Sequence, residues 1–565
     1  MKVVIIGGVA GGATAAARIR RLDENAEIIV FERSGFVSYA NCGLPYYIGG
    51  VITDPQELTL QTPESFRRRF GIDMRIRHEV TAIHPDKKTV SVQNLDTGEE
   101  FEESYDKLLL SPGAKPVKPS LADTAHDRLF TLRTVEDTLA IRRFIEKEKP
   151  KTTILAGGGF IGLELAENLC ELGISVTIIQ RPGHLLTPLD ADMAAFIHSK
   201  MREHGINLKF GSSVDGFEEK NNSIKVLLKE EAPLQADMAV LAIGVTPDTH
   251  LAESAGLRLG MKKTIAVNER METSVPDIYA VGDAVQVKHY ITEKNAVISL
   301  AGPANKQGRI AADNICGKES VYHGAQGSSV IKIFDLTAAS TGINETAARQ
   351  AGIKYDKIYL SPANHAGYYP GGRIMSMKIL FEKETYRLLG AQIVGYEGVD
   401  KRIDVLSVAM RAGLSALDLT ELDLAYAPPY ASAKDPVNMA GFIIENIADG
   451  RLKQFYPEDV DSLPRDNSIT ILDVRTDEEY ELGHVKGSCH IPVDSLRERI
   501  DEIDLTKPLY IICQSGLRSY LACCILNQYG ADCYNLSGGY RFYQTSVREQ
   551  QSAETALPCG LEQKI

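Results

Sequence analysis

The chain runs to 565 residues, is 44% hydrophobic and 24% charged, and contains 47 glycines. That is too long for one hydrophobic core, so several domains are expected, and the composition is that of a globular rather than a disordered chain. A formal net charge of -13 argues against a nucleic-acid binder, which needs a basic surface, while leaving room for a local basic pocket around one anionic small molecule.

The first residues, MKVVIIGG, enter an apolar strand with no charged leader region before it, and no apolar run approaches the roughly 20 residues that span a bilayer. A cytoplasmic chain with no membrane partner is expected. Nine cysteines, at positions 42, 170, 316, 489, 513, 523, 524, 533 and 559, lack framework spacing, and in a reducing compartment most should be free thiols. Cys523 and Cys524 lie in an apolar helical stretch and read as packing residues.

A strand, a glycine-rich turn, an alanine-rich helix over 13–19 and a strand over 27–32 form a βαβ unit. The turn Gly7-Gly8-Val9-Ala10-Gly11-Gly12 approximates the dinucleotide fingerprint, with Val9 where the second glycine of GxGxxG would admit a pyrophosphate. Glu32, at the end of the next strand, supplies the carboxylate that accepts hydrogen bonds from a ribose. A second unit spans 152–180, with strand 153–156, helix 163–172 and strand 175–180. Its Gly157, Gly159 and Gly162 satisfy the fingerprint fully. Here the second strand ends in Gln180-Arg181, so the acidic ribose reader is missing and Arg181 could meet a 2′-phosphate; NADH and NADPH both stay open. Two such units offer helix N-termini to two pyrophosphates.

Residues 326–445 change character. SSVIKIFDLTAASTG, MSMKILFE and LLGAQIVG read as strands and helices fall near Glu345 and Lys401, giving an α+β domain. The polar stretch 453–467 reads as a linker, and a fresh αβ pattern begins at ITILDVR.

The two turns, together with Leu110-Ser111-Pro112-Gly113-Ala114, AIGVTPDT (242–249) and IYAVGDA (278–284), resemble the flavoprotein disulfide reductases with two dinucleotide folds, over about residues 1–450. The resemblance implies FAD at the first turn and NADH or NADPH at the second. It carries FAD contacts onto Gly7, Gly8, Ala10, Gly11, Gly12, Glu32, Arg33, Val80, Ser111 and Gly113. Asp283 would reach the ribitol, and Leu300, Ala301 and Gly302 would lie beside the isoalloxazine. For NAD(P)H it nominates Gly157, Gly159, Phe160, Ile161, Gly162, Gln180, Arg181 and Gly244. No metal site is nominated.

Most members of that superfamily carry two nearby cysteines here, whereas this chain has only Cys42, in SYANCGLPYY. A lone cysteine cannot close a local disulfide, so its oxidised form is a sulfenic acid or a mixed disulfide with a bound thiol. NADH oxidases and peroxidases use the first, coenzyme A disulfide reductases the second. Thr14, Arg18 and Arg21 share one face of the first helix by three- and four-residue spacing and could form a cationic wall for CoA phosphates. HAGYYPGG (365–372) and AYAPPYASAKDP (425–436) are similar to the tyrosine-bearing segments of CoA disulfide reductases, which implies Tyr368 and Tyr426 near the reacting sulfur. A phenol there could lend a proton to a leaving thiolate. The same resemblance nominates Ser38, Asn41, Asn305 and Lys434 as CoA contacts, and a homodimer in which one subunit completes the other's site.

At the C-terminus, LDVRTDEEYELGHVKGSCHIP and PLYIICQSGLRSYLACCIL resemble the rhodanese family. Cys513 through Arg518 form a six-residue loop between strand and helix whose inward amides make an anion nest, stabilising a thiolate or persulfide at Cys513. Arg518 adds positive charge, and Asp473 and Arg475 are scaffold positions in that family.

The expectation is an α/β chain with two Rossmann-like dinucleotide-binding domains, an α+β dimerisation domain and a C-terminal α/β rhodanese-like domain. The boundaries expected are FAD-binding 1–115 and 242–325, NAD(P)H-binding 116–241, dimerisation 326–450, linker 451–465 and rhodanese-like 466–565. The activity expected is NAD(P)H-dependent reduction of CoA persulfide or polysulfide through Cys42, with Cys513 carrying sulfane sulfur. CoA disulfide reduction, a sulfenate-based NADH oxidase or peroxidase, and a redox-sensing or sulfur-carrier protein are the alternatives.

Overall fold

The computed structural model describes residues 1–117 and 126–554, so Cys559 lies outside the described residues. It divides into two compact units, residues 1–181 with 205–327 and residues 182–204 with 328–565.

The first unit contains β1 (Lys2–Ile6), α1 (Ala10–Leu22), β2 (Glu27–Glu32), α2 (Leu44–Gly49), β3 (Asp73–Ile76), β4 (Lys107–Leu110), β5 (Leu129–Thr131), β6 (Thr152–Ala156), α3 (Phe160–Glu171), β7 (Ser175–Gln180), β8 (Asn207–Phe210), β9 (Met238–Leu241), β10 (Ile278–Ala280) and α4 (Ala301–Ile315). Two five-stranded parallel sheets result, in the orders β10-β4-β1-β2-β3 and β8-β7-β6-β9-β5. Their central strands are apolar on both faces, as parallel strands covered by helices must be; Val3, Val4, Ile5 and Ile6 are all buried. Each sheet's first helix begins three residues earlier than the hydrophobic pattern alone suggests, inside the glycine turn, because the turn itself starts the helix. α1 lies hard against α4: a Cβ on Gly308 would stand 2.4 Å from the Gly11 carbonyl oxygen, so the approach depends on the absent side chain.

The second unit holds an antiparallel sheet built from β11 (Ser329–Ile333), β12 (Leu336–Gly342), β13 (Tyr355–Leu360), β14 (Ser376–Glu382) and β15 (Leu388–Gly395), in the order β11-β12-β15-β14-β13, with α5 (Val399–Ala412) and α6 (Pro436–Ala448). The stretch SSVIKIFDLTAASTG is a hairpin rather than one strand, reversing through Phe334, whose φ is +56°. A second, parallel sheet follows: β16 (Gln454–Phe455), β17 (Thr470–Asp473), β18 (Cys489–His490), β19 (Leu509–Ile512) and β20 (Cys533–Leu536), ordered β16-β20-β19-β17-β18, with α7 (Asp477–Glu481), α8 (Leu517–Gln528) and α9 (Gly539–Glu554).

The stretch expected as a linker is built into this last sheet. Gln454 and Phe455 pair with Asn535 and Leu536, and Phe455, Val460 and Leu463 are buried beside Leu536 and Tyr540. Its polarity is that of a short edge strand and a 3₁₀ turn, both half-exposed, with three apolar anchors fixing them.

Within the second unit the two sheets are joined by α9, which packs on the Ala191–Glu203 helix with Phe542 against Phe196 at 5.3 Å. Glu549 bonds His198 at 2.9 Å and Arg202 at 2.6 Å; burial opposes its ionisation, yet those two contacts hold the carboxyl down to about 2. Lys378, fully buried on β14, meets Asp190 at 2.9 Å, Asp192 at 2.8 Å and Glu345 at 2.5 Å. Lys357 continues the network from Glu345 to Glu458.

Candidate active site

At the first glycine turn, Gly7 has φ +98° and a Cβ there would stand 2.1 Å from the Ser111 carbonyl oxygen; one on Gly12 would stand 1.9 Å from the Gly7 oxygen. The backbone is thus drawn tightly around the start of α1, where amide groups face outward. Glu32 at the end of β2 accepts from the Gly8 and Ser34 amides, both at 2.9 Å. Burial raises its carboxyl despite those bonds. A cavity of about 400 Å³ opens here, lined by Gly7, Glu32, Arg33, Val80, Ser111 and Asn41 among others. Asn41 Oδ1 is buried with no hydrogen-bond partner among the described residues. A glycine cradle, a carboxylate at the end of the second strand and a cavity between them fit FAD.

Of the other residues nominated for FAD, Asp283 is paired with Arg133 at 2.5 Å, a cation the sequence reading did not single out, and Arg33 bonds Asp248 at 2.9 Å. Gly113 lines the cavity; Ala10 opens α1, while Leu300 caps α4 and Ala301 and Gly302 begin it.

The second turn repeats the construction. Gly157 has φ +113°, and a Cβ on it would stand 2.2 Å from the Ala242 oxygen; a Cβ on Gly162 would meet the Gly157 oxygen at 2.0 Å. Gly159 has open space around it, and Phe160 and Ile161 begin α3. Gln180 occupies the place of Glu32 and accepts from the Gly158 amide at 2.9 Å, as an uncharged copy of that contact. Arg181 beside it is exposed, and Gly244 has φ +112° with nothing near its Cα.

Cys42 sits in the 3₁₀ turn Asn41–Gly43 that leads into α2. The residue is exposed, yet the protein around it still raises the thiol by desolvation, helped by the charge of Glu164 and opposed by Arg133. Glu164 lies on α3, which packs against α2; burial and Glu167 push its carboxyl up to about 7. Neither α3 carboxylate was read as functional, since in LELAEN they look like ordinary helix charges. None of the eight described cysteines is in a disulfide. Ser38, four residues before Cys42, adopts φ +47° and donates its amide to the Gly8 oxygen, tying the cysteine loop to the first turn.

On α1, Thr14 donates to Asn305 at 2.9 Å, bringing two nominated residues together. Arg18 is ion-paired with Asp313 at 2.8 Å, so that face is less cationic than its spacing suggests, and Arg21 is exposed.

In the second unit Tyr368 and Tyr426 share a hydrogen bond of 2.6 Å and both are exposed. That bond raises the Tyr368 phenol. Their two loops are pinned by Arg402, a buried residue the sequence reading passed over, which donates to the Asn364 oxygen at 3.0 Å, the Tyr430 oxygen at 3.3 Å and Asp435 at 3.0 Å. Lys434 is exposed beside Asp435.

Cys513 follows β19 and is buried. Its sulfur accepts from the Gly516 amide at 3.1 Å and lies 3.1 Å from the hydroxyl of Ser519, which also hydrogen-bonds Asn535 Oδ1. The loop is seated on the start of α9, where the Tyr540 amide donates to the Cys513 oxygen at 2.7 Å. Arg518 is held by Glu479 on α7.

Two dinucleotide folds with an exposed cysteine at the Asn41–Gly43 turn define a nicotinamide-dependent flavoprotein oxidoreductase, here followed by a strand-loop-helix cysteine site. The family model for pyridine nucleotide-disulphide oxidoreductases matches residues 1–308, that for their dimerisation domain 328–436, and that for the rhodanese-like domain 456–546. The chain belongs to the pyridine nucleotide-disulphide oxidoreductase family and ends in a rhodanese-like domain; FAD and NAD(P)H are the cofactors of the class. Coenzyme A disulfide reductase of Staphylococcus aureus (strain JH9) is 38% identical over 442 residues, 78% of this chain and 99% of that protein. The structure of reduced Bacillus anthracis CoADR-RHD aligns with a TM-score of 0.94 at 46% identity, covering 97% of this chain and 98% of that one. The NAD-dependent persulfide reductase from A. fulgidus aligns with a TM-score of 0.90 at 37% identity, covering 96% and 100%.

Proposed function

We propose that the protein uses NAD(P)H to reduce CoA-bound persulfide or polysulfide sulfur to hydrosulfide at Cys42, and that Cys513 carries sulfane sulfur. The observation that carries this reading is an exposed, free Cys42 with no second cysteine in its loop, which suits a mixed disulfide with a bound thiol. The likeness to a persulfide reductase along 96% of the chain supports the same substrate class.

The Cys42 thiolate attacks the inner sulfur of CoA-S-SH; the Cys42-CoA disulfide forms, the sulfur-sulfur bond of the persulfide breaks, and HS⁻ leaves with the electron pair. FAD would be held by the Gly7 turn and Glu32 and would supply the two-electron chemistry that links nicotinamide oxidation to disulfide reduction. Tyr368 and Tyr426 are hydrogen-bonded through their phenol oxygens, and in this reading one of them lends a proton to a leaving thiolate. With a CoA disulfide the first step releases CoA instead of HS⁻. Thr14, Arg18, Arg21, Ser38, Asn41, Asn305 and Lys434 form the CoA-recognising set in this reading, in a cytoplasmic homodimer divided at the boundaries expected above except that 454–463 belongs to the rhodanese-like domain.

Intact mass of the purified protein treated with CoA disulfide tests the Cys42 chemistry: one CoA added on the Cys42 peptide, absent from Cys42→Ser, is expected. No adduct on that peptide would overturn it. For the second site, Cys513→Ser abolishes sulfur transfer from thiosulfate or polysulfide while flavin reduction by NAD(P)H persists; transfer that survives the substitution removes Cys513 from the account.

A further inference from the structure

The loop 513–518 carries one charged side chain besides its cysteine, Arg518, and that charge is spent. Nη2 of Arg518 meets Glu479 Oε1 at 2.8 Å and Nη1 meets Oε2 at 2.7 Å, a two-pronged pair. The other guanidinium beside the loop, Arg475, is buried and held by both oxygens of Asp473 while its Nη1 reaches Gln514. Both of these cations therefore have a carboxylate of their own, while Arg541, whose amide donates to the Gln514 oxygen, lays its guanidinium over Phe196. Leu517, the fifth loop residue, is 58% exposed, so the loop also presents an apolar surface.

We propose that Glu479 determines which sulfane-sulfur donor Cys513 accepts: by cancelling Arg518 it disfavours dianions such as thiosulfate and favours alkyl persulfides carrying at most one charge. The inference rests on the reading of Cys513 as a sulfur carrier. In the favoured step the Cys513 thiolate attacks the outer sulfur of R-S-SH; the Cys513-sulfur bond forms, the R-S bond to that sulfur breaks, and RS⁻ leaves with the electron pair. With thiosulfate the same attack expels sulfite, and the incoming dianion finds the Arg518 charge already taken up by Glu479.

Glu479 has a second duty that makes the test clean. Its Oε2 accepts from the Thr476 amide at 3.1 Å and its own amide donates to Thr476 Oγ1 at 3.3 Å, a capping box that starts α7. Glutamine serves a capping box as well as glutamate does, so Glu479→Gln releases Arg518 without unmaking the helix start.

The experiment uses the full-length holoenzyme and follows formation of the Cys513 persulfide by mass, with thiosulfate and with N-acetylcysteamine persulfide as donors. Glu479→Gln raises the rate with thiosulfate about tenfold, the worth of one charge-assisted contact, and leaves the persulfide rate close to its starting value. Added salt erodes the gain, and Glu479→Gln combined with Arg518→Gln abolishes it. An unchanged donor ratio, or an equal slowing with both donors, overturns the proposal and leaves Glu479 a brace for the loop. If the unaltered protein forms no Cys513 persulfide from either donor, the carrier reading falls as well, which the first result alone would not imply.

Discussion

Glu164 and Cys42 are coupled through charge. The thiol is raised first by burial and then by the Glu164 carboxylate, which itself titrates near 7. As pH rises through that value Glu164 ionises and makes the Cys42 proton harder to remove. Glu164→Gln should therefore shift the pH profile of Cys42 alkylation by iodoacetamide downward by a fraction of a unit, read on the Cys42 peptide because Cys489 is also exposed. An upward shift would contradict the coupling. This pair also shows what spacing alone reveals. Glu32 was legible because a dinucleotide turn fixes where its ribose carboxylate must fall. Glu164, Arg133 and Arg402 were not, since each acts on residues far along the chain: Arg133 on Asp283, and Arg402 on loops beginning near Asn364 and ending at Asp435.

Among the elements, β14 depends on a charge that no apolar pattern announces. Lys378 is fully buried among three carboxylates, so Lys378→Met removes the cation and leaves them to repel one another. A loss of roughly 3–5 kcal/mol in urea unfolding is expected, the range for breaking a buried ion pair from one side. Glu345 supplies a pH signature. Burial would raise its carboxyl, but Lys378 and Lys357 outweigh that and hold it at about 2, below its ordinary 4.5. A depressed folded-state value means stabilisation that is complete above pH 4.5 and is lost as pH falls toward about 2. Acid unfolding should fall through that window in the unaltered protein and lose part of its steepness in Lys378→Met; identical acid profiles would remove the network from the ledger. At this scale the βαβ units were the most legible part of the sequence, with both second strands read to the residue. The edge strand Gln454–Phe455 was missed because two residues carry too little periodicity to show, and the hairpin through Phe334 because no glycine marks its turn.

For the whole molecule, the family and its cofactor class follow from the fold and the matched relatives, whereas the substrate rests on one cysteine and its surroundings. Among the described residues no helix is long and apolar enough to cross a membrane. Motif spacing carried the sequence reading to two nucleotide folds and two candidate cysteines, because glycine turns and a strand-loop-helix cysteine loop are local devices. The sulfur substrate was less legible, since pairings such as Thr14 with Asn305 and Tyr368 with Tyr426 join residues far apart in sequence and form only in the folded chain. The most direct measurement is anaerobic turnover of NADH or NADPH with CoA persulfide, following hydrosulfide release. Hydrosulfide formed in step with nicotinamide oxidation, and lost in Cys42→Ser that still binds FAD, is the predicted result; nicotinamide consumption that requires oxygen and ignores the persulfide would contradict it.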